Sequence, residues 1–286
     1  MGENRETPSQ PSWRPPSDKL VLRDGAWVTG SASPVSYPDW GNDFCDQVEE
    51  TSFWFRHRTA CILEAVRQYP PGGTLFDIGG GNGLVASALQ AAGTAVALVE
   101  PGSGARNAVR RGIVRVVEST FEDARFHPQS LPAAGAFDVI EHTPDDLAFL
   151  SGIRNALVPG GRLYCTVPAL PALWSAEDLQ AGHFRRYTRS TLVGTLQKAG
   201  FDVEFATYFF TWLGLPVFFR RVVPYRLGRR AGVGSPGANP ADHRLPAALS
   251  AFVSRVDAWE LRRIRAKKTM PHGTSLLCVS RAGNVA

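Results

Sequence analysis

Apolar and polar positions along the chain alternate between the period of strands and the period of helices. Apolar runs typical of strands lie at 75–78, 94–99, 113–117, 131–140, 162–167, 203–208 and 275–280. Amphipathic stretches typical of helices lie at 43–69, 84–92, 104–111, 145–157 and 190–199. Because strands alternate with helices, we predict an α/β fold with a doubly wound, mostly parallel, seven-stranded sheet.

The pattern also divides the chain into four segments. Residues 1–36 are rich in Pro, Ser and Arg, which predicts a disordered or loosely draped arm. Residues 37–208 carry the alternating core. Residues 209–270 are first aromatic and then basic, and they predict a helical insertion before the last strand. Residues 271–286 supply that strand and a tail.

Composition narrows the class of protein. The chain has 286 residues, of which 44% are hydrophobic, so it can bury a large core. Its net charge is +5, and no basic run alternates with aromatic residues, so we expect no nucleic-acid partner. The four cysteines are far apart and include no C-x-x-C pair, which argues against a zinc knuckle or a redox motif. The start of the sequence lacks the pattern of a secretory leader, so we expect a cytoplasmic protein.

The stretch LFDIGGGNGLVAS, residues 75–87, predicts a glycine-rich turn between a strand and a helix. Such turns expose backbone N–H groups to dinucleotides, nucleoside phosphates or S-adenosylmethionine. A dinucleotide fingerprint fits 81–86 but leaves two extra glycines before it. An acid at Asp77 instead suits an ammonium or sulfonium charge, and Glu100 at the end of the next strand suits ribose hydroxyls.

These residues resemble the class I S-adenosylmethionine-dependent methyltransferases, over about 43–208 and the final strand. A bacterial group in that family shares the motifs DVIEH at 138–142, PGG at 159–161, VPA at 167–169, LWS at 173–175, GHFRRY at 182–187 and GTSLL at 273–277. The resemblance implies that S-adenosylmethionine is bound by Asp77, Gly79, Gly81, Asn82, Gly83, Glu100, Pro101, Thr120 and Phe121. Many members place an Asp after the third strand for the adenine amine, and here that region reads Ser119-Thr120-Phe121-Glu122-Asp123. We therefore expect adenine to contact the backbone near Thr120 and either Phe121 or Glu122.

Candidate catalytic residues follow the predicted fourth and fifth strands. His142, Glu141 and His183 are candidates for removing the proton of an acceptor. The segment from Asp138 to His142 also resembles one that binds a divalent ion in metal-assisted O-methylation, so Asp138, Glu141, His142 and His183 form a candidate metal site. A purely structural role, in which Glu141 and His142 cap the next helix, stays open.

The acceptor is less well defined by the sequence. Candidate acceptor-binding residues are Trp174, Arg186, Tyr187 and Trp212. The aromatic segment 208–223 is too short to span a bilayer, and it predicts an acceptor wall, a dimer contact or a helix in a membrane interface. We expect methyl transfer to a small-molecule or lipid-like acceptor, most readily at oxygen. A nicotinamide-dependent oxidoreductase and a non-catalytic S-adenosylmethionine-binding scaffold are the alternatives.

Overall fold

A single mixed sheet organises the chain. A computed structural model describes residues 13–30, 33, 36, 39–228 and 247–283. The strands in these ranges are β1 (Val21–Arg23), β2 (Ala26–Val28), β3 (Leu75–Ile78), β4 (Val96–Val99), β5 (Val116–Glu118), β6 (Leu131–Phe137), β7 (Leu157–Pro168), β8 (Phe201–Phe209) and β9 (Ser275–Ala282). They lie in the order β1-β2-β5-β4-β3-β6-β7-β9-β8. β2 to β7 are parallel, and β9 runs antiparallel to both of its neighbours.

Helices cover both faces of this sheet, as the alternation of elements predicts. They are α1 (Asp39–Val48), α2 (Phe53–Gln68), α3 (Leu84–Ala91), α4 (Ser103–Arg110), α5 (Phe121–Ala124), α6 (Asp146–Ala156), α7 (Ala176–Gln180), α8 (Arg189–Lys198), α9 (Gly214–Val217), α10 (Val223–Arg226) and α11 (Ala247–Arg265). Successive residues of β4 belong to different apolar clusters: Ala97 to the cluster that contains residues of α6 and α8, and Leu98 to the cluster that contains residues of α2 and α3. The sheet therefore has a core on each side.

The strand count differs from the predicted seven, because nine strands occur among the residues that the structure describes. The two additional strands, β1 and β2, form a hairpin within the segment predicted to be a loose arm. This hairpin extends the sheet beside β5. Leu20 is only 2% exposed, and Trp13 packs against Phe76, so apolar burial anchors a segment whose composition suggested disorder. Residues 1–12 lie outside the described ranges.

The helix predicted for 43–69 is two helices, α1 and α2. Ser52 separates them with an extended backbone, and its side-chain oxygen accepts hydrogen bonds from the N–H groups of Trp54 and Phe55. A hydroxyl at this position satisfies the first donors of a new helix. The chain therefore starts a new helix at Phe53.

The segment between β8 and β9 joins the core through α11, which packs against α2. His57 of α2 lies 2.8 Å from the Glu260 carboxylate of α11, and Cys61 lies 3.5 Å from the same imidazole nitrogen. Glu260 also accepts the N–H groups of Phe210 and Thr211 at 2.9 and 2.7 Å. These hydrogen bonds connect α2, α11 and the residues after β8, so they fasten the insertion to the core. Within the described ranges, every helix is too short or too polar to cross a bilayer.

Candidate active site

One large cavity opens at the edge of the sheet where the parallel strands end. Its volume is about 1240 Å³, and the loops after β3, β4, β5 and β6 form its wall. In open α/β sheets this edge is the usual place for ligands. The predicted site residues that line it are Asp77, Gly79, Gly81, Asn82, Glu100, Pro101, Thr120, Phe121, Asp138, His142 and His183.

The glycine turn after β3 is shaped by positions that only glycine occupies easily. Gly79 and Gly81 have φ values of 66° and 54°, in the left-handed region. A Cβ on Gly79 would also lie 2.7 Å from a methyl group of Val139. The turn therefore brings bare backbone to the cavity. Gly83, predicted to contact the cofactor, instead starts α3 and packs against Ala108 of α4, away from the cavity wall.

Two buried carboxylates flank the turn. Asp77 is 1% exposed, and one of its carboxylate oxygens has no hydrogen-bond partner. Burial raises the pKa of Asp77 to about 7. Glu100 accepts the N–H of Gly81 at 3.1 Å and the side-chain amide of Asn42 at 3.5 Å, and burial raises its pKa to about 7 as well. This end of the cavity is therefore prepared for a ligand that carries positive charge and hydroxyl donors.

The loop after β5 closes the same end of the cavity. Thr120 caps α5, since its side-chain oxygen accepts the N–H of Asp123 at 3.1 Å. Phe121 follows at the cavity wall and packs edge-to-face on Phe149 at 6.0 Å between ring centroids. A planar aromatic group could pack against this half-buried ring.

Asp138 lies at the cavity wall but is not grouped with the three other predicted metal ligands. Its carboxylate is bonded by the Arg58 guanidinium and by the Thr166 hydroxyl, the latter at 3.0 Å. Arg58 also donates to the carbonyl of Phe137 at 2.7 Å. Both bonds are to the same carboxylate oxygen, Oδ2, so Asp138 forms an ion pair that links α2 to the end of β6. Its assignment as a metal ligand stays a prediction.

Glu141, His142 and His183 do lie together, as the sequence predicted. One potential ligand atom from each falls within 4.8 Å of the others, and the two imidazole rings are 4.8 Å apart. Glu141 is fully buried, neither carboxylate oxygen has a partner, and burial raises its pKa well above the ordinary range. Burial, together with the nearby His183, lowers the pKa of His142 to about 4. A divalent cation would fit this donor set, since it would compensate the buried carboxylate.

His183 has a second partner that sequence reasoning missed. Its Nδ1 lies 2.9 Å from a carboxylate oxygen of Asp178, which also accepts Nε of Arg186 at 2.7 Å. The other oxygen of Asp178 accepts the N–H and the hydroxyl of Ser175. Burial opposes the charge, but the bonds from His183 and Arg186 outweigh it and lower the pKa of Asp178. An ionised Asp178 therefore holds the imidazole in one orientation.

The predicted acceptor-binding residues lie elsewhere. Trp174, Arg186, Tyr187 and Trp212 are not among the residues that line the cavity. Arg186 bonds Asp178 and the carbonyl of Ala169, and the buried Tyr187 hydroxyl donates to Asp146 at 2.6 Å. Trp212 packs on Phe53 with ring centroids 5.7 Å apart. The side chains of Arg186, Tyr187 and Trp212 are thus engaged in internal contacts near the loop of His183 and the start of α2.

Three further polar residues at the site escaped the sequence analysis, namely Asn42, Arg58 and Asp178. Asn42 and Arg58 precede the glycine turn, so strand-end spacing gives no signal for them. Asp178 had a weak signal, because Ser175 followed three residues later by an acid is a capping box. That pattern predicts the start of α7 but not its contact with His183.

Comparison with known proteins identifies the family. Residues 54–205, more than half of the chain, match a family model described as a methyltransferase domain. The chain belongs to the class I S-adenosylmethionine-dependent methyltransferases. S-adenosylmethionine is accordingly its cofactor, and the orphaned oxygen of Asp77 beside the glycine turn fits the cationic tail of that molecule. The dinucleotide interpretation of the turn is not supported.

Individual relatives agree with this assignment. A ubiquinone biosynthesis O-methyltransferase of Xanthomonas campestris is 28% identical over 130 residues, 43% of this chain. The match spans about half, 54%, of that relative's length. A possible histamine N-methyltransferase of Thermotoga maritima has a TM-score of 0.54 at 18% identity, covering 84% of this chain and 97% of its own. Phosphoethanolamine N-methyltransferase 2 of Haemonchus contortus, solved with S-adenosylmethionine, has a TM-score of 0.53 at 17% identity, covering 89% and 61%. The two solved structures establish the fold.

Proposed function

We propose that this methyltransferase methylates an oxygen atom of a small-molecule or lipid-like acceptor, with His183 as the proton acceptor. S-adenosylmethionine supplies an electrophilic methyl group on a sulfonium sulfur. A hydroxyl or acid acceptor must lose its proton as the new O–CH₃ bond forms and the S–CH₃ electron pair passes to sulfur. The observation that carries the proposal is the bond from Asp178 to Nδ1 of His183, which leaves Nε2 of this cavity residue available for that proton.

The cofactor end of the cavity supports this function through four groups. We assign Asp77 to the ammonium group of the methionine tail and the backbone around Gly81 to its carboxylate. We assign Glu100 to the ribose hydroxyls, which would replace its present bond to the N–H of Gly81. The adenine would lie against Thr120 and Phe121 in the cavity wall. All four contacts use groups that are already buried or held by neighbouring bonds, so little ordering accompanies binding.

The choice of His183 over His142 rests on charge. The lowered pKa of His142, about 4, means that its imidazole holds a proton poorly at neutral pH. His183 instead donates Nδ1–H to a carboxylate, which fixes the tautomer whose Nε2 can accept a proton. Asp178 is thus a positioning residue. His142 packs edge-on against this ring and restricts its rotation.

A metal-assisted version of the same reaction uses the same three residues. Glu141, His142 and His183 offer one carboxylate and two imidazoles, a set that suits manganese, iron or zinc. A bound cation would lower the pKa of an acceptor hydroxyl. The two unpartnered oxygens of Glu141 favour this version, since a buried carboxylate is costly without a partner.

Oxygen as the acceptor atom is supported by the need for a base and by the name of the Xanthomonas relative, which describes an O-methyltransferase. An amine acceptor that is already neutral needs less help with its proton. The large cavity, about 1240 Å³, accommodates the cofactor and a further organic group. Substrate identity stays at the level of a small-molecule or lipid-like compound.

The function is tested by S-adenosylhomocysteine release with phenols, alcohols, carboxylic acids and amines, each offered in a short and a long-chain form. We expect turnover with an oxygen acceptor and a product heavier by one methylene unit.

EDTA treatment separates the two versions of the reaction. Lost activity that one added metal restores favours the metal-assisted version, and unchanged activity favours the base. Asp178→Asn should lower kcat by about 10-fold or more and shift the pH profile of kcat. Turnover with amines alone would contradict the proposal.

A further inference from the structure

A helical segment with an exposed apolar face follows β8. It consists of α9, a π-helical turn at Phe218–Val222 and α10. Val217 and Val222 point inward and form a buried cluster with Leu173. On the other side Leu215, Phe219 and Leu227 are 71%, 65% and 72% exposed. Since Leu215 and Phe219 are four residues apart on a helix, they lie on one face.

The same segment has a one-sided charge. Residues 214–226 contain three arginines, Arg220, Arg221 and Arg226, and no aspartate or glutamate. Arg221 lies 3.6 Å from the Glu177 carboxylate of α7. Arg220 and Arg226 lie on the exposed side of the helical segment. Arg226 donates to the carbonyl of Ala172 at 3.2 Å, so its position is fixed by a neutral group. Large exposed apolar side chains are thus interleaved with positive charge.

We propose that this face, Leu215, Phe219, Arg220, Arg226 and Leu227, binds the surface of an anionic lipid bilayer. Helices that lie in a membrane interface combine apolar side chains that enter the acyl boundary with basic side chains that contact phosphate groups. The segment, residues 214–226, is 13 residues long, which is enough for a helix in the interface plane and too short to span the bilayer. Charge complementarity selects anionic over zwitterionic lipid.

The proposed membrane-binding face lies near the cavity. β8 runs in the same direction as β7, because both are antiparallel to β9, so β8 ends at the edge that carries the cavity. The π-helical turn packs against α7 and against the turn Pro171–Leu173. α7 carries Asp178, the partner of His183, and its Leu179 is itself 57% exposed. A bilayer bound at this face would lie beside the rim of the cavity.

Vesicle co-flotation of the full chain tests the proposal. The vesicles contain phosphatidylcholine alone or phosphatidylcholine with one third phosphatidylglycerol. We expect binding to the anionic vesicles, weak binding to the neutral ones, and weakening by salt. Leu215→Ser with Phe219→Ser should reduce binding at least 10-fold, and Arg220→Glu with Arg226→Glu should abolish the preference for anionic vesicles.

Val114→Ser is the matched control, because Val114 is 71% exposed, like Leu215, and lies beside β5. It should leave binding unchanged. S-adenosylmethionine affinity and thermal unfolding verify that each variant is folded, and they do not depend on the identity of the acceptor. The proposal is overturned if wild-type protein ignores anionic vesicles at low salt, or if Leu215→Ser with Phe219→Ser binds them as well as wild type. A dimer that this double variant converts to monomer without lipid would also overturn it and would assign the face to a second copy.

Discussion

The two ends of the cavity are built in different ways. The cofactor end consists of backbone and two carboxylates, Asp77 and Glu100, that retain bonding capacity for a ligand. The acceptor end consists of side chains that bond one another: Arg58 with Asp138, and His183 with Asp178. The first end is prepared for a molecule of known charge pattern. The second holds the His183 imidazole in one orientation through Asp178.

The largest effect that would distinguish the ends is expected from His183→Ala. Removing a proton acceptor lowers kcat by about 10²–10⁴-fold, whereas the affinity for S-adenosylmethionine should change less than about twofold. S-adenosylhomocysteine release and calorimetric titration measure the two quantities. His142→Ala is the control: it should cost less than His183→Ala if His183 acts as a base, and as much if both imidazoles hold a cation. If His183→Ala lowered the affinity for S-adenosylmethionine as much as it lowered kcat, the two ends of the cavity would not have separate roles.

The next effect concerns Asp77 and pH. In the folded, ligand-free chain its pKa is about 7 against an ordinary 3.8, so the folded state binds more protons between those values. Stability from this group therefore falls as pH rises from about 4 to 7. Asp77→Asn should stabilise the ligand-free protein at pH 8 by about 2–4 kcal/mol and should weaken S-adenosylmethionine binding. Thermal or urea unfolding of both proteins at pH 6 and pH 8 measures the difference in the free energy of unfolding. If Asp77→Asn were no more stable than wild type at pH 8, a buried, charged Asp77 would be contradicted.

Glu100→Ala should have a smaller effect, confined to the cofactor end. Losing hydrogen bonds to a charged group should weaken S-adenosylmethionine binding by about 1.5–3 kcal/mol and leave the fold intact. Calorimetry measures the loss, and Glu100→Gln, which keeps the acceptor oxygen, should recover part of it. Unchanged affinity in Glu100→Ala would remove the ribose assignment.

The smallest effect is expected from Trp212→Ala. Its ring packs on Phe53 and is not part of the cavity wall, so the acceptor KM and the cofactor affinity should each change less than about twofold. The loss of packing should instead lower stability by about 1–3 kcal/mol. A large rise in acceptor KM would restore Trp212 to the acceptor site, as the sequence alone suggested.

The sequence predicted which residues border the cavity near the glycine turn better than it predicted the contacts near His183, for a physical reason. Backbone turns and strand ends follow local rules, so the spacing from Asp77 through Gly81 to Glu100 predicts residues that share the cavity. The acceptor end depends on contacts between distant segments. Arg58 bonds Asp138, which lies 80 residues later in the chain, and no local sequence pattern indicates this contact.

The same limit explains the errors in the fold. The Pro and Ser content of residues 1–36 predicted a loosely draped arm. Within that segment, Trp13 and Leu20 make apolar contacts that hold residues 13–30 on the sheet. Ser52 is a residue type that often precedes a helix, but the amphipathic pattern continues on both sides of it and predicted one continuous helix. Local composition predicts whether a segment can order itself and not whether a neighbour orders it.

The hairpin of β1 and β2 has a consequence for handling the protein. Without it, β5 would present the unpaired N–H and C=O groups of a buried strand at the border of the sheet, a template for pairing with another molecule. With it, the border is a three-residue strand that ends in Arg23. A chain shortened to begin after residue 30 should therefore aggregate or exchange strands, even though the cavity and all of its polar residues would still be present.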